Sequence, residues 1–150
     1  MDLRTKVNSA LASLVLLAGC GSADDERLPA GCTPSAQELV GALAAAPGPV
    51  ELSGLSLSGC VVKSSEPAEV QELGGAYLAA ATALGRDATR NPEGQAALRL
   101  GYLVGAVRRG SELTPGFHSE LVRRIEQEAV PIAGRSAAYA AGIRAGRRSG

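Results

Sequence analysis

Few residues in this chain have the chemistry to act on another molecule. There are three thiols, at Cys20, Cys32 and Cys60, and one imidazole, at His118. His118 follows Thr114, Pro115, Gly116 and Phe117, a stretch that reads as a helix start. The free amides and the dipole at such a start can hold an anion, with Thr114, Gly116 and His118 as its ligands. The imidazole could also act as a base. The plainer reading is a ring at the edge of an apolar face, in line with Val122, Ile125 and Ala129. No G-x-S-x-G nucleophile motif and no cluster of metal-ligand spacing occurs. The adjacent carboxylates Asp24 and Asp25 sit in a polar stretch where solvent would surround them. Neither a cofactor nor a metal is expected, and the chain reads as a non-enzyme.

Cys20 stands in a different context. Arg4 and Lys6 are followed by an apolar run from Val7 to Ala18, which closes on Leu17-Ala18-Gly19-Cys20. The run is shorter than the ~20 residues a transmembrane helix needs and has the form of a secretory signal. Leu17-Ala18-Gly19-Cys20 resembles the lipobox of bacterial lipoproteins. The resemblance covers the first 20 residues. It implies a signal peptide over 1–19, cleavage before Cys20, a diacylglyceryl group on the Cys20 thiol and an acylated new amino end. Two or three acyl chains anchor stably because each buried methylene contributes about 0.8 kcal/mol. The alternatives are a plain signal peptide with a chance cysteine, or an uncleaved anchor. The implied place is outside the cytoplasmic membrane, lipid-anchored. Gly21 rather than Asp after the cysteine leaves an outer membrane open, where the cell has one. The stretch 98–129, including Leu100 to Arg109 and Glu120 to Glu126, is similar to segments of small bacterial secreted proteins, a likeness that implies no activity.

If lipid takes Cys20, two thiols remain. An even pair in an oxidising compartment reads as a disulfide, Cys32 to Cys60. Two free thiols or half of a metal site are the alternatives. The spacing matches no C-x-x-C motif and no histidine lies near in sequence.

Around these residues the chain divides simply. Residues 20–31 are polar and acidic, bracketed by Gly and Pro, and are expected to form a flexible tether reaching roughly 30 Å at about 3.3 Å per residue. Residues 32–150 suit one small domain. With no Trp, one Phe and three Tyr, its core must be aliphatic. The net charge is zero, which gives no pull toward nucleic acid. The charge is uneven, however: acids dominate from Cys20 to Leu98 and bases from Arg99 onward. Such asymmetry can mark an anionic partner. Complementarity between packed helices is the favoured reading.

Helix signals recur along the domain. Thr33-Pro34, or a Ser35/Glu38 capping box, opens a first helix that Pro47-Gly48-Pro49 ends. Val50 to Val62 alternates through Leu55, Ser56, Leu57 and Ser58, which predicts a strand or strand pair turning at Ser53-Gly54. Glu66-Pro67 starts a long helix, Asn91-Pro92-Glu93 starts a third that closes at Arg108-Arg109-Gly110, and Thr114-Pro115 starts a fourth that Pro131 ends. On the fourth, Glu120–Arg124 and Arg124–Glu128 are expected i,i+4 pairs. Ser136 to Arg148 forms a last helix or frays.

Gly101-x-x-x-Gly105 and Gly142-x-x-x-Gly146 lie among arginines rather than in membrane-length apolar runs. Glycine inside a helix costs about 1 kcal/mol relative to alanine, so these positions predict close helix approach, within a monomer or, as the alternative, across a homodimer.

The expectation is a mostly α fold: a small bundle of four or five helices with a short β segment and one disulfide. Its partners would be membrane lipid through Cys20 and an envelope protein, in a structural or interaction role. The alternative is small-ligand or lipid binding between glycine-faced helices.

Overall fold

A computed structural model describes residues 27–150, apart from positions 115 and 117. The lipobox-like sequence, Cys20 and most of the acidic stretch lie outside the described residues, as does Phe117.

The fold is a helical bundle. Ser35 opens the first helix, α1 (Ala36–Ala42), with the capping box its sequence promises. The Ser35 hydroxyl accepts from the Glu38 amide at 3.3 Å, and the Glu38 carboxylate accepts from the Ser35 amide at 2.8 Å. A 3-10 turn, Leu43–Ala45, tightens its end, and a cis Ala46–Pro47 bond follows. Two short antiparallel strands, β1 (Glu51–Leu52) and β2 (Leu55–Ser56), pair Glu51 with Ser56 and Leu52 with Leu55. Ser53 and Gly54 both have positive φ, 51° and 76°, as the turn that matches strand twist requires.

The β segment stops there. Leu57–Lys63 is a helix, α2, where alternation through Ser58 and the run Cys60-Val61-Val62 suggested strand. Ser56 caps it, accepting from the Gly59 amide at 3.1 Å. Leu57, Cys60 and Val61 are buried together, a spacing that one face of a helix satisfies and one face of a strand does not.

Four longer helices form the body: α3 (Pro67–Arg90), α4 (Gln95–Leu113), α5 (His118–Ala129) and α6 (Ala137–Ser149). Three boundaries differ from expectation. Asn91 does not cap α4, which begins after Gly94. The neighbouring Glu93 serves another helix instead, accepting from the first amides of α6, Ala137 and Ala138, at 2.9 and 3.1 Å. Gly110 does not end α4 but lies inside it. A Cβ there would stand 2.6 Å from Val61 Cβ, so the missing side chain lets α2 lie against α4. The packed chain also reaches back before Cys32. Leu28 is half-buried against the core and its amide donates to Glu69 at 3.0 Å, so the last residues of the expected tether belong to the domain.

α4 is the central element, touching α2, α3, α5 and α6. Every residue from Leu100 to Val107 is buried, as expected of a helix enclosed on all sides. α6 does not fray. It runs parallel to α4 in the closest packing of the molecule, and the two G-x-x-x-G motifs are its two halves. A Cβ on Gly101 would lie 2.1 Å from the Tyr139 carbonyl oxygen, and on Gly105 2.3 Å from that of Ile143. Reciprocally, Gly142 would meet the Leu98 carbonyl at 2.0 Å and Gly146 that of Tyr102 at 2.1 Å. Backbone thus packs on backbone within one chain.

The core is aliphatic with two fully buried tyrosines. Tyr102 Oη accepts from the Val50 amide at 3.1 Å, tying the hairpin to α4. Tyr77 Oη donates to the Leu57 carbonyl at 3.5 Å, and burial raises its pKa.

Candidate functional site

Three places could carry function. The first is the thiol pair. Cys32 and Cys60 form the disulfide, with their Cα atoms 5.5 Å apart and both side chains fully buried. The bond fastens the chain just ahead of α1 to α2. It is closed off from solvent, which suits a structural bridge.

The second is His118. The structure brings Thr114 beside it, with Thr114 Oγ1 3.3 Å from Nδ1. It also brings Ser64, which no motif marks: Ser64 Oγ is 3.1 Å from Nε2. Gly116 is exposed with φ 127°, a conformation open to glycine. Ser64, His118 and Thr114 have the spacing of a nucleophile, a base and a group behind the base. Their surroundings give them other work. Ser64 is fully buried and donates to the Val61 carbonyl at 2.8 Å, while Thr114 donates to the Gly110 carbonyl at 3.0 Å. The group behind the ring is a hydroxyl, not the carboxylate that would stabilise an imidazolium. His118 itself is only 6% exposed, and each ring nitrogen faces a hydroxyl. The ring therefore ties the ends of α2 and α4 to the start of α5. An anion at that helix start would meet Gly116 before it met the imidazole.

The third is an open groove of about 370 Å³ between α3 and α5. Val70, Gly74, Gly75 and Leu78 of α3 and Leu121 of α5 make an apolar floor, and Gln71, Glu120 and Arg124 stand at its edge. The groove exists because Gly74 and Gly75 have no side chains: a Cβ on Gly75 would meet nothing within 4 Å. Glu120 accepts from Arg123 at 2.7 and 2.9 Å and from Arg124 at 2.9 Å. Those guanidinium bonds lower its pKa to about 2. Arg124 thus pairs with Glu120 rather than Glu128. Of the glycine-bearing faces, those of α4 and α6 are closed on each other, and the open space lies beside Gly74 and Gly75 of α3.

Among the described residues, no group of His, Cys, Asp and Glu is placed to hold a metal ion, and no helix is long and apolar enough to cross a membrane. No family model, curated protein or solved structure matches the chain.

Proposed function

We propose that the protein is exported, carries lipid on Cys20, and works at the cell envelope by binding rather than by catalysis. The observation that carries this is the buried Cys32–Cys60 disulfide. Disulfides form and persist outside the reducing cytoplasm, where the signal-like first 19 residues would deliver the chain. Two cysteines belong to the fold, which leaves Cys20, the residue that ends the lipobox-like sequence, for the lipid. Mass spectrometry of the membrane-extracted protein should show an amino-terminal peptide beginning at acylated Cys20. Cys20→Ser should abolish that mass and release the protein from the membrane, leaving the disulfide intact. An unmodified Cys20 in a membrane-bound chain would sink the reading.

The α3–α5 groove favours a second reading, capture of a small apolar molecule such as a fatty acid. A medium-chain fatty acid should then raise the melting temperature of the wild type and not of Gly75→Leu, whose side chain would enter the groove. Equal responses would remove this reading.

A further inference from the structure

The bases of the carboxy-terminal half are not consumed by the acids of the other half. The ion pairs Arg108–Glu126, Arg147–Glu112 and Glu120 with Arg123 and Arg124 all lie within the basic half, and Asp87–Arg90 lies within the acidic one. Complementarity between packed helices is present but local, Arg108–Glu126 joining α4 to α5 and Arg147–Glu112 joining α6 to α4, so the charge asymmetry of the two halves remains.

It is concentrated on α6. That helix contains no acid, and Arg144, Arg147 and Arg148 are all exposed. Among the described residues neither the Arg144 nor the Arg148 guanidinium has an acidic partner, while Arg147 shares Glu112. Arg109 of α4 joins them, donating to the Arg148 carbonyl at 2.7 Å. The acids at the start of α3 belong to a helix that packs on α4, as α6 does. Glu69 among them is turned to the amides of Leu28 and Glu66.

The position of these arginines matters as much as their charge. The chain enters the domain at Leu28, and four residues further on the disulfide pins Cys32 to α2. α2 in turn touches the far end of α6, because Ser58 Oγ donates to the Gly150 carbonyl, and it packs on Gly110 near the end of α4. Cys32 and the arginine-bearing end of α6 are thus both fastened to α2.

We propose that the outer face of α6, through Arg144, Arg147 and Arg148 with Arg109 beside them, docks on an anionic phospholipid surface. The inference rests on the lipid-anchor reading for its physiological setting, since an anchor on Cys20 holds the domain within a short tether of a bilayer. The contact is electrostatic and peripheral. α6 turns Tyr139 and Ala145 into the core and half-buries Ile143, and its exposed residues are Ala137, Arg144, Arg147 and Arg148. Arg suits this because its planar fork donates two parallel bonds to a phosphate. Each arginine near an anionic surface contributes about fivefold in binding, and the attraction fades beyond a Debye length of ~8 Å at physiological salt.

The test uses the full chain carrying Cys20→Ser, so that no lipid contributes. Co-sedimentation is measured with vesicles of phosphatidylcholine alone and of phosphatidylcholine mixed with phosphatidylglycerol, and the difference between them is read. We expect stronger binding to the phosphatidylglycerol vesicles, loss of that difference at about 0.5 M salt through screening, and a drop of at least about 25-fold in Arg144→Glu/Arg148→Glu. Both side chains are exposed, and the melting temperature of the variant is compared with the parent. Arg144→Gln/Arg148→Gln, which only neutralises, should fall between them. Equal binding to the two vesicle types, or a phosphatidylglycerol preference that neither variant changes, overturns the proposal. Absence of lipid on Cys20 in the native membrane fraction, with the preference intact, overturns the anchor and leaves the α6 face standing.

Discussion

Single glycines decide how near the two most closely packed helices come. Gly101 and Gly142 each stand where a Cβ would run into a main-chain carbonyl of the opposing helix, and backbone cannot step aside as a flexible side chain can. Gly101→Ala should therefore destabilise the fold by about 2–3 kcal/mol, even though alanine is the better helix former. Gly75→Ala, also mid-helix but facing open space, should stabilise it by about 0.5–1 kcal/mol. Urea denaturation of the pair checks both signs, and equal effects would contradict the backbone packing. Glu120 makes a second prediction at this scale. Its folded pKa, about 2, lies below the ordinary 4.5, so its contribution to stability is fully present above pH 4.5 and is lost as pH falls through 2. Carbon NMR of the side-chain carboxyl should show it titrating near 2, and in Arg123→Ala/Arg124→Ala near its ordinary value. His118 belongs here too. Its type invited a chemical reading, but Ser64 and Thr114, one on each ring nitrogen, make it a tie between three helix ends.

Among the elements, those whose ends are set by neighbouring residues were the most legible. The Ser35/Glu38 box and Pro67 at the first position of α3 act on groups three or four residues away, so their effect is written locally. The corrected elements depend on distant contacts. α2 is helical because the disulfide and α4 bury one helical face of a segment whose short alternation also suits a strand. α4 runs through Gly110 because α2 needs the room. Glu93 shows how a local signal can be spent elsewhere. In Asn91-Pro92-Glu93 it looked like the first turn of its own helix, and it caps α6 instead. Glu93→Ala should cost about 1 kcal/mol and speed hydrogen exchange in the first turn of α6 while leaving α3 unchanged. Altered exchange in α4 rather than α6 would assign Glu93 to the helix its sequence position suggests.

For the molecule as a whole, the disulfide closes a loop between residues 28 apart in sequence. Chain entropy assigns such a closure about 3–4 kcal/mol, so Cys32→Ala/Cys60→Ala should lose roughly that in urea while keeping its helical circular dichroism. Loss of the helical signal would mean that the bridge is needed to form the bundle and not only to stabilise it. The sequence by itself determined the mostly α class and the glycine positions that demand close packing, while the Cys32–Cys60 pairing was one of several readings until the structure brought the two together. Class follows from composition and helix signals, and the glycine positions from a backbone constraint that a single residue carries. Which surfaces those glycines join was decided only by the tertiary structure. Gly101 and Gly105 could have met a second chain or the other helix of their own, and nothing in a five-residue motif distinguishes them. The same is true of the charges. Their asymmetry is plain in the sequence, but whether opposite halves neutralise each other depends on which helices lie side by side, and α3 and α6 each pack on α4. Sequence spacing sets the face on which a side chain lies; only packing sets what that face meets.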